Sequence, residues 1–160
     1  KFALRRAVGV MQDGTPFGNL LYYPALAPEF TERWYRGGGL NGSLSVESCR
    51  RTLEYTDKVM EKLPAARMRH PQAALIAEEF QNDADLLRHA CRLGMALLET
   101  PNQRIDQVPE ETRAALAEDL APLIPRTREI WLKRNRTGGL DKNIGYLEAL
   151  LAAYRGQPKS

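Results

Sequence analysis

The stretch WLKRNRTGGL, from Trp131 to Leu140, decides how the fold of this chain is interpreted. Its basic residues suit the C-terminal end of a helix, where positive charge complements the helix dipole, and the double glycine then interrupts that helix. The stretch predicts a tight corner in which Gly138 or Gly139 supplies a left-handed residue that closes the first helix, and Leu140 enters the core. A last helix then follows, from about Asp141 to Tyr154, with apolar residues at helical spacing. We expect it to pack against Trp131.

The segment upstream of the corner predicts another helix, which begins near Pro109. Acidic residues occupy its first turn, where they suit the helix dipole. Its apolar residues keep the same helical spacing beyond Pro122 and Pro125. We therefore expect either one kinked helix or two short collinear helices.

Two earlier segments also have helical periodicity. The first follows Ser43 or Ser45, either of which would cap it, and ends before Pro64. The second spans residues 71–98, with Pro71 as its first helical residue. This second helix carries two apolar stripes, so it is predicted to lie centrally, between two partners. The first stripe is Ala73, Phe80, Leu87, Cys91 and Leu98; the second is Leu75, Leu86, Leu93 and Leu97.

Residues 12–44 differ from the rest, because glycine and proline forbid a long regular element there. Residues 2–11 before them are consistent with the end of a helix. The irregular segment holds six of the twelve aromatic residues of the chain, which are candidates for contact with the core, with another domain or with a ligand such as a sugar. They are Phe17, Tyr22, Tyr23, Phe30, Trp34 and Tyr35.

The composition fits one all-α domain: an aromatic, Gly/Pro-rich loop at 12–44 and a core of about five helices at 45–155. The chain has 160 residues and a net charge of +3, and its basic and acidic residues are interleaved, so a nucleic-acid partner is not expected. No apolar run in the sequence is long enough to span a membrane, so a membrane partner is not expected either. No initiator Met precedes Lys1, so we expect a fragment or a processed product of a larger chain, and its compartment stays unknown.

A polar stripe on the central helix is the one candidate for a metal site. Glu78, Asn82, Asp85 and His89 recur at helical spacing, but di-iron bundles use Glu-x-x-His pairs that this chain lacks. The stripe is therefore interpreted as a solvated face, and no metal or cofactor is expected. Glu79 and Asp83 lie between the apolar stripes, where each needs a partner, and we expect an arginine from another helix.

Nucleophilic and nucleotide-binding sites find no support in the residues. Cys49 and Cys91 fall on apolar faces, where a thiol behaves as a small hydrophobic group. The triple glycine at 37–39 lacks the Lys-Ser/Thr that a phosphate loop requires. Arg136, in the basic run before the corner, is a candidate for contact with a ligand or with the corner carbonyls.

Residues 128–147, REIWLKRNRTGGLDKNIGYL, resemble the C-terminal helical region of family-20-like glycoside hydrolases, the bacterial β-N-acetylhexosaminidase relatives. Those chains have a helix that ends in Trp-Leu-x-Arg-Asn-Arg-x-Gly-Gly-Leu, followed by a short amphipathic helix. Asn41-Gly42-Ser43 is similar to the Asn-Gly-Ser that follows their catalytic barrel. The resemblance covers about twenty residues closely. It implies carbohydrate metabolism for the parent protein, with an adjacent Asp-Glu pair in the barrel, and this chain has no such pair.

The expectation is therefore a non-catalytic accessory domain, which docks on and stabilises a glycosidase catalytic domain in the same parent chain. Two alternatives stay open. The first is a stand-alone helical interaction module that forms a homo-oligomer through the second apolar stripe. The second is a metal- or ligand-binding bundle enzyme that uses Glu78, Asp85 and His89.

Overall fold

The computed structural model describes residues 20–21, 23–26, 45–101 and 103–157, and this part of the chain is all-α, without a strand. The expected end of a helix at 2–11 and most of the segment 12–44 lie outside these residues. Five helices of eleven residues or more form the fold, as the periodicity predicts, and a four-residue helix precedes them. The helices are α1 (Tyr23–Leu26), α2 (Val46–Met60), α3 (Ala73–Leu98), α4 (Glu110–Leu120), α5 (Leu123–Arg134) and α6 (Leu140–Tyr154).

Short 3-10 turns occur at Leu63–Ala65 and Ile105–Gln107. No helix in the described ranges is long and apolar enough to cross a membrane.

Ser45 caps α2, which settles the choice between the two predicted cap residues within the described part of the chain. The Ser45 hydroxyl accepts from the backbone N–H of Ser48 at 3.0 Å, and the Ser48 hydroxyl accepts from the backbone N–H of Ser45 at 2.8 Å. This reciprocal pair satisfies two donors that the first turn of a helix leaves free. The helix ends at Met60, and Pro64 lies in the 3-10 turn that follows.

The central position of α3 is confirmed, because α2, α4 and α5 all pack against it. Its predicted start at Pro71 is wrong: the helix begins at Ala73, after Gln72, whose backbone N–H donates to His70 Nδ1. The two apolar stripes differ in how much of their surface is buried. Three leucines of the second stripe, Leu86, Leu93 and Leu97, are fully buried, whereas Phe80 of the first stripe is 49% exposed. Phe80 lies where α2 has already ended, because the helices run antiparallel.

The two prolines divide the segment after Pro109 into separate helices. Pro122 is the N-cap residue of α5, and Pro125 lies in its first turn, where a missing N–H removes no helical hydrogen bond. The alternative with two short helices is therefore the one observed.

The last helix, α6, completes the core. It packs against α1, α4, α5 and the turn Ile105–Gln107. At its end the N–H of Gly156 donates to Ala153 O and that of Gln157 to Ala152 O, with Gly156 at φ +67°, which is a Schellman cap. Leu20 and Leu21 from the aromatic segment join the core. The largest fully buried side chains are Leu20, Leu21, Leu86, His89, Leu93, Leu97, Leu120, Ile144, Leu147 and Leu150.

Candidate functional site

The polar stripe on α3 is not the solvated face that its spacing suggests. Asn82 and His89 are fully buried, whereas Glu78 and Asp85 lie nearer the surface. The reason is tertiary: the helices packed on α3 bring polar partners to this side. Asn82 faces Thr127 of α5, with Asn82 Nδ2 and Thr127 Oγ1 3.2 Å apart. The expectation of a solvated stripe is therefore wrong for these two side chains.

A polar cluster surrounds the buried His89 where α3, α4 and α6 meet, and it reaches the surface at Arg92. His89 Nδ1 lies 2.9 Å from Asp119 Oδ2, and His89 Nε2 lies 2.9 Å from the Tyr154 hydroxyl. Arg92 Nη1 donates to the other carboxylate oxygen of Asp119. The rings of His89 and Tyr154 meet edge to face, with centroids 5.7 Å apart. We call these four residues the His89 cluster.

The hydrogen bonds assign a role to each group of the His89 cluster. Nδ1 of His89 faces the Asp119 carboxylate, which can only accept, so Nδ1 carries the hydrogen of this bond, while Nε2 faces the Tyr154 hydroxyl, which can donate or accept. Although burial opposes the charge, the hydrogen bonds from His89 and Arg92 hold the pKa of Asp119 below its ordinary value. Burial, and to a smaller extent the Asp119 charge, raise the pKa of Tyr154 well above its ordinary value. Tyr154 therefore keeps its hydroxyl proton.

The hydrogen-bonded series of the Asp119 carboxylate, the His89 imidazole and the Tyr154 hydroxyl resembles a general-base relay. The burial of these groups nevertheless favours a structural role. A relay must present its nucleophile to a substrate. Here His89 is fully buried, Tyr154 is 3% exposed, and the tyrosine hydroxyl is occupied by His89. The cluster satisfies its own polar groups and ties three helices together.

The acidic members of the candidate metal site form ion pairs with residues of other helices. Asp85 accepts from Arg88 on its own helix and from Arg126 of α5, both at 2.7 Å. Glu78 lies 2.7 Å from Lys133 Nζ. Among the described residues, no group of three or more His, Cys, Asp or Glu side chains has a geometry that could hold a metal ion.

Glu79 and Asp83 have different surroundings. Glu79 has the predicted arginine partner, because Arg134 Nε of α5 lies 2.7 Å from its carboxylate. The same expectation is wrong for Asp83: both carboxylate oxygens are buried, and neither has a hydrogen-bond partner among the described residues. Burial, followed by repulsion from Glu79, raises the pKa of Asp83 to about 7.

The corner forms as a turn into α6. Gly139 is left-handed at φ +79°, but it is the N-cap residue of α6. The C-cap residue of α5 is Asn135, which has an extended conformation. The predicted position of the left-handed residue, closing α5, is therefore wrong. Leu140 is buried in the core, and Gly138 and Gly139 are exposed.

Trp131 and Arg136 meet through the backbone of the corner. Trp131 Nε1 donates to the carbonyl oxygen of Arg136 at 2.9 Å, and Trp131 packs against the core cluster that includes Leu147, Leu150 and Tyr154. The Arg136 residue is exposed. The indole therefore closes the corner from the α5 side.

Most of the aromatic candidates lie outside the described residues: Phe17, Tyr22, Phe30, Trp34 and Tyr35. Tyr23 begins α1, a short helix packed on α6. Pro24 and Ala25 of α1 border a groove of about 760 Å³ beside α6. Two carboxylates at this groove are paired with arginines: Asp106 with Arg104 and Asp141 with Arg128.

Comparison with models of known protein families, with curated proteins and with solved structures found no match to this chain. The resemblance at residues 128–147 therefore does not assign the chain to a family, and it serves only as support for a proposed function.

Proposed function

We propose that this chain is a non-catalytic helical domain, which docks on and stabilises the catalytic domain of a glycoside hydrolase. Two independent lines support the proposal: the resemblance of residues 128–147 to the helical region of that family, and the exposed apolar surface of α2. The His89 cluster favours a structural role over catalysis, because His89 and Tyr154 are buried and hydrogen-bonded to each other.

The outer face of α2 is the observation that carries the docking role. Among the described helices, α2 packs mainly against α3, and only Cys49 and Thr56 of its residues are buried. Tyr55 is 70% exposed, and Val59, one turn later on the same side, is 46% exposed. Tyrosine is enriched where protein surfaces meet, because it buries a large area and keeps a polar end. This pair, the Tyr55/Val59 face, is the candidate contact surface.

The proposal expects a catalytic barrel with an Asp-Glu pair to be encoded next to this domain. The test is to express that barrel alone and to titrate it with the purified 160-residue chain by calorimetry. Stoichiometric binding and a higher melting temperature of the barrel are expected. Tyr55→Ser combined with Val59→Ser should weaken binding by roughly tenfold or more, since buried anchors contribute about 1–2 kcal/mol each.

Arg50→Ser is the matched control, because Arg50 is exposed on α2 but lies five residues before Tyr55, away from the Tyr55/Val59 face. It should leave the affinity within about threefold. Absence of a barrel, or of binding to it, would refute the docking role.

A homo-oligomer is the second candidate. Its predicted surface on the second stripe is buried, since Leu86, Leu93 and Leu97 lie in the core. The Tyr55/Val59 face offers another contact. Sedimentation over a hundredfold range of concentration tests it: the chain should dimerise if this face joins two copies, and Tyr55→Ser should then abolish the dimer. A monomer throughout would exclude this candidate.

A further inference from the structure

Two fully buried thiols meet across the interface between α2 and α3. Cys49 belongs to α2 and Cys91 to α3, and both are free. The two thiols influence each other: Cys91 lowers the pKa of Cys49, and Cys49 raises the pKa of Cys91. No other cysteine occurs in the sequence, so any reaction between thiols within one chain joins these two.

Gly94 makes the close approach of the two helices possible. A Cβ atom at Gly94 would lie 3.3 Å from Cys49 Sγ and 3.0 Å from Leu20 Cδ1. Both distances are shorter than ordinary contact, so an added Cβ atom would require Leu20 and Cys49 to shift by a few tenths of an ångström. The glycine sits one turn after Cys91 on the same helix, and it therefore keeps Cys49 against the surface that carries Cys91.

We propose that Cys49 and Cys91 form a site of reversible disulfide formation, which takes low-molecular-weight disulfides as its oxidant and fastens α2 to α3. The site goes beyond the docking role and does not depend on it. Cys49 is the thiol that attacks first, because the neighbouring Cys91 lowers the pKa of Cys49 despite burial.

The reaction proceeds by two thiol–disulfide exchanges. The Cys49 thiolate attacks one sulfur of the oxidant, the oxidant's S–S bond breaks, and the released thiolate takes up the proton that Cys49 lost. Cys91 then loses its proton and attacks Cys49 Sγ, which releases the second half of the oxidant as a thiol. Two electrons pass from the two protein sulfurs to the oxidant, and two small thiols are formed.

Access to the buried thiols comes from the local opening of α2. Within the described part of the chain, α2 buries only two of its residues, and its polar side chains hold α3 through the pair of Asp57 and Arg88. Helices with few buried contacts open at a lower free energy than the core does. The disulfide would suppress this opening, because it joins the two helices covalently.

The experiment exposes the reduced 160-residue chain to oxidised glutathione at neutral pH, traps the remaining thiols with a maleimide in denaturant, and measures the intact mass. Loss of both reactive thiols, with two hydrogen atoms lost and no glutathione retained, is the expected result. Cleavage should yield one peptide pair joined through Cys49 and Cys91. Closing this loop should raise the melting temperature by roughly 5–10 °C, and added reductant should reverse the rise.

Two single variants separate the steps. Cys91→Ser should stop at a mixed disulfide on Cys49, and Cys49→Ser should react more slowly, because it lacks the thiol whose pKa is lowered. If both thiols of the parent remain free, or if glutathione stays attached to the parent chain, the proposal is wrong. These outcomes are read on the parent chain, so they do not depend on the folding of a variant.

Discussion

Asp83 gives the sharpest quantitative test of the fold, because its carboxylate is buried without a described partner and its pKa is raised to about 7. In the unfolded chain an aspartate titrates near 3.9. Between these two values the folded state binds more protons than the unfolded state, so the free energy of unfolding falls as the pH rises. The contribution of protonated Asp83 to the free energy of unfolding is fully present below about pH 4, and it is lost as the pH rises through about 7.

The magnitude follows from the size of the shift. The pKa of Asp83 is higher in the folded than in the unfolded chain by about three units. At 1.36 kcal/mol per unit, this difference corresponds to about 4 kcal/mol in the free energy of unfolding. This is an upper limit, because Asp83 keeps some exposure to solvent. Asp83→Asn removes the titration and nearly keeps the shape. The variant should exceed the stability of the parent by no more than about 1 kcal/mol at pH 4.5 and by up to about 4 kcal/mol at pH 8.

Urea unfolding followed by circular dichroism at pH 4.5, 6 and 8 measures this difference. Glu78→Gln is the matched control: Glu78 lies on the same helix but is exposed, and its surface pair with Lys133 should contribute little to stability at every pH. The difference between variant and parent cancels the titration of the other groups. An equal difference at pH 4.5 and pH 8, or a less stable variant at pH 8, would refute the reasoning.

The remaining predictions concern the His89 cluster, the corner and metal ions. Tyr154→Phe should cost about 1–3 kcal/mol in denaturant unfolding, because His89 Nε2 loses its buried partner; an unchanged midpoint would mean that this hydrogen bond contributes nothing. Gly139→Ala should cost about 1–2 kcal/mol through its left-handed backbone, whereas Gly138→Ala, with open space around it and no positive φ, should cost almost nothing. Equal melting temperatures of these two variants would exclude the strain. Leu140→Ala should cost about 2–4 kcal/mol through the cavity it leaves, and a smaller loss would show that the corner collapses around it. Zinc, manganese or chelator should leave the melting temperature of the chain unchanged, and a stoichiometric rise of several degrees would restore the metal-site alternative.

The helices could be predicted from the sequence because their signals are local. The periodicity of α3 and the cap at Ser45 depend on residues within one or two turns. Gly156 closes α6 for the same reason, since a left-handed glycine after the last apolar position is a local signal. Pro71 misleads because proline suits a first helical turn but does not by itself start one.

The interior of the candidate site could not be predicted, because its partners come from distant parts of the chain. His89 on α3 meets Asp119 and Tyr154, which lie 30 and 65 residues away. Spacing along one helix places His89 on a polar side, but it carries no information on which helix covers that side. Asp83 illustrates the opposite case: its position between apolar stripes predicts burial, and no feature of the sequence reveals whether an arginine reaches it.

The turnover of aryl N-acetylglucosaminides and N-acetylgalactosaminides by the purified chain, compared with that by Asp119→Asn, tests the non-catalytic role most directly. Because His89 and Tyr154 are buried and the His89 cluster serves the packing of three helices, neither protein should turn over substrate above the uncatalysed rate. The Asp119→Asn variant should instead melt at a lower temperature, since His89 and Arg92 lose their common carboxylate. Turnover by the parent chain that disappears in Asp119→Asn at an unchanged melting temperature would contradict the account.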